Sequence, residues 1–458
     1  MEFLPFAGWF YSGSLAWNIT EEDFMKDISW INQLKLRFGL GTTGNSAVSA
    51  YSTLGNIQSF YVPFGSTLTP AYATNEPYYT SSQVKMANKN LGWEKTASTN
   101  FGVDFGFLNN RITGSVEYYI ANTSDLLLNR SIPLMTGYTQ ILTNVGKTQN
   151  KGLEITSSTT NIQTEDFTWK TDFTFSTNRS KIVELADGKV DDPTNGWFIG
   201  KPMDEIWTYK YDRLWQDTPE DRRMLAIYKA KGNGITMFPA KLVDQEFIEV
   251  PEGTEGSKTV TLEDGSKVTY MDNGFGKFDK DDYHFQGSFT PKWEGGFTTT
   301  FIYKNWQLNA FFYGRFGNMY YGLMQTYGRR VENDTWSPEN TDAKFPQPRA
   351  GGESFTDYKE YMNYTKGNMV AVRNIALSYT FPEKWLGKIG ANSCQIYGQV
   401  LNPFIWGGDL VKAGINPDDT TGWGAEGGRS NGTYKYIGGQ TNNTVLTRSF
   451  VIGLRLGF

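Results

Sequence analysis

Two residue types that often carry chemistry are nearly missing from this chain of 458 residues, which holds one cysteine, Cys394, and one histidine, His284. A disulfide within the chain is excluded, as are zinc or haem sites built on Cys/His pairs. A serine-histidine-aspartate triad would have to use His284, which follows Asp281, Asp282 and Tyr283 with no nucleophile elbow near it. No paired carboxylates or nucleophile constellation stand out, so the expectation is that the chain is not an enzyme. Long hydrophobic runs are lacking too. None could form a membrane-spanning helix, and mean hydropathy is −0.47. A basic excess is also missing: net charge is −5, which leaves no electrostatic footprint for nucleic acid. The opening residues, Met1 to Pro5, show no basic region, apolar segment or small-residue cleavage site. An exported chain starting this way is expected to lack an upstream part.

What the chain does have is aromatics at 16%, glycine at 49 residues, and many stretches that alternate between apolar and polar. In the last ten residues, Phe450, Ile452, Leu454, Leu456 and Phe458 make one apolar face, and Val451, Gly453, Arg455 and Gly457 the other. That period of two belongs to a strand with one face in an apolar medium and one in a polar medium. The pattern recurs. It appears at Trp9–Ile19, Leu34–Leu40, Phe101–Phe107, Ile112–Ile120, Leu153–Ser157, Phe167–Phe175, Phe297–Tyr303, Trp306–Phe312, Ile375–Phe381 and Ile396–Val400.

Eleven strands are thus expected, and their connections alternate short and long throughout. A soluble sandwich has no reason to do this. A transmembrane β-barrel does, because its turns are tight on the periplasmic side and its loops long on the outer side. The fold class predicted is all-β, an antiparallel transmembrane β-barrel of which about eleven strands are visible. Single-chain bacterial barrels are normally even-numbered, and an open sheet in lipid leaves edge groups unsatisfied. The chain therefore reads as part of a barrel. The longest connection, an insertion at about 179–284, is predicted to contain a hairpin pairing Lys258–Thr261 with Ser266–Tyr270 around Asp264-Gly265.

Six tryptophans fall in the predicted long loops: Trp197, Trp207, Trp215, Trp336, Trp406 and Trp423. Their faces could stack on a solute or a covering protein, or could fill loop cores and the interfacial belt. Trp9, Trp17, Trp169 and Trp306 lie on the apolar register and are girdle candidates. The charges Lys35, Arg37, Asp104, Glu117, Glu154, Lys170, Asp172 and Arg455 fall on the opposite register. Arg373 shares the register of Ile375 and Leu377, which implies a bulge or a position above the lipid.

Several segments resemble the SusC/RagA family of TonB-dependent outer-membrane transporters. They are Phe6-Ala7-Gly8-Trp9 through Trp17–Glu22, Leu34–Arg37 with Gly41–Asn45, Leu91–Thr96, Asn144-Val145-Gly146 with Asn150–Glu154, and Gly414–Asp418. The resemblance covers essentially the whole chain. It implies the carboxy-terminal half of a 22-stranded barrel in the outer membrane of a Gram-negative, Bacteroidetes-like cell, whose plug domain and TonB box would lie outside this sequence. The implied function is import of a glycan or peptide, with a SusD-like surface lipoprotein as lid. Energy would come from TonB-ExbB-ExbD through the plug. The alternatives are a structural half-barrel that needs a partner chain, or a non-functional truncated remnant. The family also commonly carries a calcium-like loop before the strand near Pro291. Here Met271 and Phe275 occupy two of its ligand positions, leaving Asn273, with Asp279 and Asp282 further along. Calcium is conceivable on that pattern, but the expectation is no cofactor and no metal.

Overall fold

The computed structural model describes residues 9–46, 53, 58–73, 85–132, 135, 140–193, 195–230, 240–242, 247–272, 283–321, 336–343, 364–386, 390–412, 416–418 and 447–458. Its frame is one antiparallel sheet of eleven strands in chain order. They are β1 (Ser12–Asn18), β2 (Ile31–Asn45), β3 (Glu94–Phe107), β4 (Ile112–Ser124), β5 (Lys147–Gln163), β6 (Phe167–Glu184), β7 (Trp293–Tyr303), β8 (Trp306–Phe316), β9 (Met369–Thr380), β10 (Ser393–Gly407) and β11 (Ser449–Gly457). Among the described residues each strand of this sheet pairs with its sequence neighbours, with β1 and β11 at the two edges.

The pairing aligns the apolar positions into rows. Leu36, Val103, Val116, Ile155 and Phe175 are successive cross-strand partners, as are Trp169, Phe301, Leu308, Leu377, Gly398 and Ile452. In most of these ladders a slip of one residue would move a polar residue into the rows, as Lys35 or Arg37 for Leu36 and Gln307 or Asn309 for Leu308, so the alternation itself specifies the register. The large side chains of the rows stay exposed along the outside of the sheet, among them Leu36, Phe101, Leu308, Leu377 and Ile452. An exposed apolar surface of that extent has to meet another apolar phase.

The short connections occupy one end of the sheet and the long ones the other. Leu108, Asn109 and Asn110 all take positive φ in the β3–β4 turn, as does Lys304 between β7 and β8. The left-handed region suits asparagine, whose short polar side chain can bond locally. Aromatic rings bracket the apolar rows at both ends. At the short-turn end, Trp169 stacks on Phe301 at 5.6 Å and Trp306 meets Tyr379 at 4.8 Å. At the long-loop end, Trp293 stacks on Phe316 at 4.1 Å, and Phe404 on Trp406 at 5.8 Å. Trp306 and Phe316 begin and end β8. At roughly 3.4 Å per residue and a tilt near 40°, that separation corresponds to an apolar band about 25 Å tall.

Several strands are longer than the alternation alone implied. β6 continues to Glu184 and carries the wall beyond residue 179. The connection after it is folded in its own right. Glu205–Thr208 pairs with His284–Ser288, Tyr211–Leu214 with Ala240–Leu242, and Phe247–Glu249 and Lys258–Thr261 both pair with Lys267–Asp272. The predicted hairpin is present around Gly265, with a third strand added. A helix, α1 (Pro219–Ala230), closes over it.

Arg373 marks a bulge. The β8–β9 and β9–β10 ladders both shift between Val372 and Asn374, so the extra residue turns away from the apolar rows. Cys394 is buried with Leu386 and Ala391 under the β9–β10 connection, an ordinary apolar position.

Candidate functional site at the long-loop rim

The polar face of the sheet holds the charges that alternation assigned to it. Arg37 donates from Nε and a terminal nitrogen to the two Asp104 oxygens, both at 2.9 Å, and reaches Glu117 at 3.4 Å. It crosses directly over Gly102, where a Cβ would lie 2.8 Å from the guanidinium. Glycine there makes the two-stranded reach sterically open. Asp172 accepts a bond from the Ser158 hydroxyl at 2.6 Å, and Arg455 lies over the Tyr397 ring at 5.1 Å. This is a polar, mixed-charge wall.

At the rim, the sequence segments singled out above turn out to be anchors for the long loops. The Asn144 side chain accepts from the Gly92 amide at 2.6 Å and donates to the carbonyls of Gly92 and Asp125, both at 2.9 Å. One asparagine thus ties the Leu91–Thr96 segment to the Asn144–Gly146 segment. Glu94 accepts from the Leu127 amide at 3.0 Å and from the Asn45 side chain at 2.9 Å. Gly44 makes room for Phe10 and Trp93, whose rings sit 5.6 Å apart. On the other side, Asp418 takes a two-point ion pair from Arg373 at 2.5 and 2.6 Å, and Arg315 donates to the Pro417 carbonyl at 2.5 Å. Arg373 also lies 5.2 Å from the Tyr313 ring centre, whose hydroxyl donates to Glu294 at 2.7 Å. The bulge that rotates Arg373 off the apolar face is what delivers it to this cluster. A two-point arginine pair fixes orientation as well as distance.

The candidate tryptophans have different fates. Trp215 is completely buried with Ile227, Val268 and Tyr270 in the core of the inserted unit, and Trp336 is 3% exposed with its indole N–H on Gln216. Neither can present a face to a solute, so both are corrected to core residues. Trp406 is not in a loop at all: it lies on β10, 55% exposed, stacked with Phe404 in the aromatic belt. Trp197 is half-buried, and its backbone closes a short bridge with Asp192. Trp207 retains access within an edge-to-face cluster with Phe198 at 4.7 Å and Tyr283 at 4.8 Å. Phe198 and Tyr283 in turn meet Phe285 and Tyr209. Loop sequence offers no period by which these rings could have been grouped in advance. Trp423 and the calcium-like positions Asn273, Asp279 and Asp282 lie outside the described residues.

Beside this cluster, Glu205 is 7% exposed. Burial pushes its carboxyl above the ordinary glutamate range, with Lys201 pulling the other way. Because the folded pKa is raised, the Glu205–Thr208 ladder with His284–Ser288 is most stable where Glu205 is protonated. It weakens as pH rises through the folded pKa and then levels off. Glu205→Gln is expected to flatten this pH dependence, read as amide hydrogen-exchange protection in residues 205–208 and 284–288. Persistence of the full dependence in the variant would assign it to another group.

These features define the wall of an antiparallel transmembrane β-barrel, with a polar face and a rim of anchored loops. The family described as "TonB dependent receptor-like, beta-barrel" matches residues 4–225. A TonB-dependent receptor of Formosa agariphila is 29% identical, over 98% of this chain and 42% of that protein. A second receptor from the same organism is 31% identical, over 85% of this chain and 37% of that protein. The TonB-dependent receptor SusC of Bacteroides thetaiotaomicron is 28% identical, over 87% of this chain and 37% of that protein. Among solved structures, the RagAB peptide importer in its open-open state superposes with a TM-score of 0.65 at 19% identity, covering 98% of this chain and 43% of that one. Residues 4–225 thus belong to the TonB-dependent receptor-like β-barrels, and the chain as a whole is similar in sequence to SusC and in fold to the RagAB importer. It spans about two-fifths of the length of the curated relatives it matches.

Proposed function

We propose that this chain is the carboxy-terminal half of the barrel of an outer-membrane importer, of which the plug, the TonB box and the remaining strands lie in the other half. The observation that carries the reading is the eleven-stranded wall with tight turns at one end and anchored long loops at the other. It is supported by curated relatives named as TonB-dependent receptors. In this arrangement the wall supplies the conduit, and energy arrives through TonB acting on the plug. The solute is a glycan or a peptide, too large for general porins, captured beneath a SusD-like surface lipoprotein. The accessible rings around Trp207 and the half-buried Trp197 are the contact surface for solute or lid.

The size of the native protein in an outer-membrane fraction tests this, detected with an antibody against the Lys258–Asp272 hairpin. A band roughly twice 51.7 kDa, shifting on heating, is expected, since folded barrels resist detergent until heated. A heat-modifiable band near 51.7 kDa would instead support a half-barrel that needs a partner chain. No membrane-associated band in cells that make the message would overturn both.

A further inference from the structure

The outer ends of β5 and β6 carry cations on the apolar side of the wall. Lys151 lies directly opposite Arg179, and Lys181, two residues on, lies opposite Gln149. The β5–β6 ladder is continuous from Thr148 to Thr160, so alternation from Leu153 and Ile155 carries Lys151 onto their face, and from Phe175 carries Arg179 and Lys181 there too. All three are exposed. Across β4 their neighbours are uncharged, Ile120 beside Lys151 and Asn122 beside Gln149.

Two cations facing each other across a ladder destabilise it unless an anion joins them. The acidic side chains that follow nearby are committed elsewhere: Glu184 pairs with Lys147 at 2.8 Å, and Asp187 with Arg130 at 2.5 Å. Arg179 is held in place as one terminal nitrogen donates to the carbonyls of Asn178 and Lys292, where β7 begins. The height of the group is informative. Phe175 touches Trp293 at 6.2 Å and so belongs to the outer aromatic belt. The Lys151–Arg179 row lies four residues further out, about 13 Å along the strand. That is headgroup level, above the hydrocarbon.

We propose that Lys151, Arg179 and Lys181 form a docking site for the phosphate groups of a phosphorylated membrane lipid. The face and height are those at which a bilayer presents its headgroups, and phosphate matches the unopposed guanidinium and ammonium donors. The site rests on the reading that this face meets the bilayer, and the test separates the two.

The native-length protein is reconstituted into phosphatidylcholine vesicles containing either lipid A or enzymatically dephosphorylated lipid A, and the lipid that co-purifies is counted by mass spectrometry. The variant with Lys151→Gln, Arg179→Gln and Lys181→Gln together is expected to retain about tenfold less lipid A. Lys170→Gln, on the polar face of β6, is expected to retain the wild-type amount. Lys151→Gln alone is expected to give a partial loss, and it serves if the triple variant fails to fold. Wild-type retention by both folded variants, or equal loss in Lys170→Gln, would overturn the site. Displacement of the lipid by millimolar inorganic phosphate would also overturn it, in favour of a free-phosphate site. Brominated lipid chains report the separate question. If they leave tryptophan fluorescence unquenched, the membrane-facing reading itself fails. Quenching with unchanged lipid retention sinks this site alone.

Discussion

Phe312→Arg is expected to destabilise the folded wall by about 2–4 kcal/mol in lipid vesicles, the cost of a cation near the bilayer midplane. Phe312 lies on β8 between the two aromatic belts, opposite Phe297 with ring centres 6.1 Å apart and opposite Val372 on the other side. Asn309, three residues earlier, faces the polar side and donates to the Thr300 hydroxyl at 2.9 Å. Asn309→Arg should therefore cost less than about 1 kcal/mol, because the new charge enters water. Urea unfolding of both variants, followed by the heat-modifiable gel shift, checks the pair. Equal destabilisation would mean that the two faces have been assigned wrongly, since no other difference of this size separates the positions.

The second large effect concerns the inserted unit, whose Trp215 core is flanked by the buried carboxylate of Asp221. Asp221 is 2% exposed and accepts from Arg213 at 2.6 and 2.8 Å and from the Gln216 amide at 2.7 Å. It also sits in the first turn of α1, three residues after Thr218, whose hydroxyl accepts from the Asp221 amide at 3.2 Å. A negative charge there is favoured by the unpaired amides of the helix start. Asp221→Ala removes the carboxylate's three bonds and its charge at the helix start, while the backbone bond to Thr218 remains. The Arg213 side chain is 42% exposed and can turn to water. The loss then comes mainly from the orphaned Gln216 amide and the helix start, about 2–3 kcal/mol. Limited proteolysis should show new cleavage between residues 216 and 260 while β5 to β8 remain protected. Protection unchanged within the insertion would show that the Trp215 core holds without the ion pair.

The wall was legible because its physics is local in sequence. Phe167, Trp169, Phe173 and Phe175 declare a strand by alternation, and Asn109-Asn110 declares the turn before Arg111. Arg373 could be read as a misfit in its strand, and the double ladder shift at that residue is the physical event behind the misfit. The rim was less legible. Asn144 and Gly92 are far apart in sequence, as are Arg373 and Asp418, and neither contact follows from any periodicity. Trp215 illustrates the same limit. A tryptophan in a polar loop looks available to a ligand until the chain folds over it, and here Ile227 and Val268 arrive from a helix and a strand to bury it completely.

By itself, then, the amino-acid sequence determined the number of strands, their faces and the end of the wall at which the long loops gather. A strand's two-residue period and the placement of turn-forming residues are properties of consecutive positions. Only the tertiary structure decided which loop aromatics are core, which belong to the belt and which remain accessible. It also decided that the shared segments at the rim are loop anchors, and that three cations meet above the belt on the apolar side. Those outcomes depend on register and on contacts between residues remote in the chain. The free energy of such contacts is set by what each group buries or pairs with after folding, a quantity that no stretch of neighbouring residues contains.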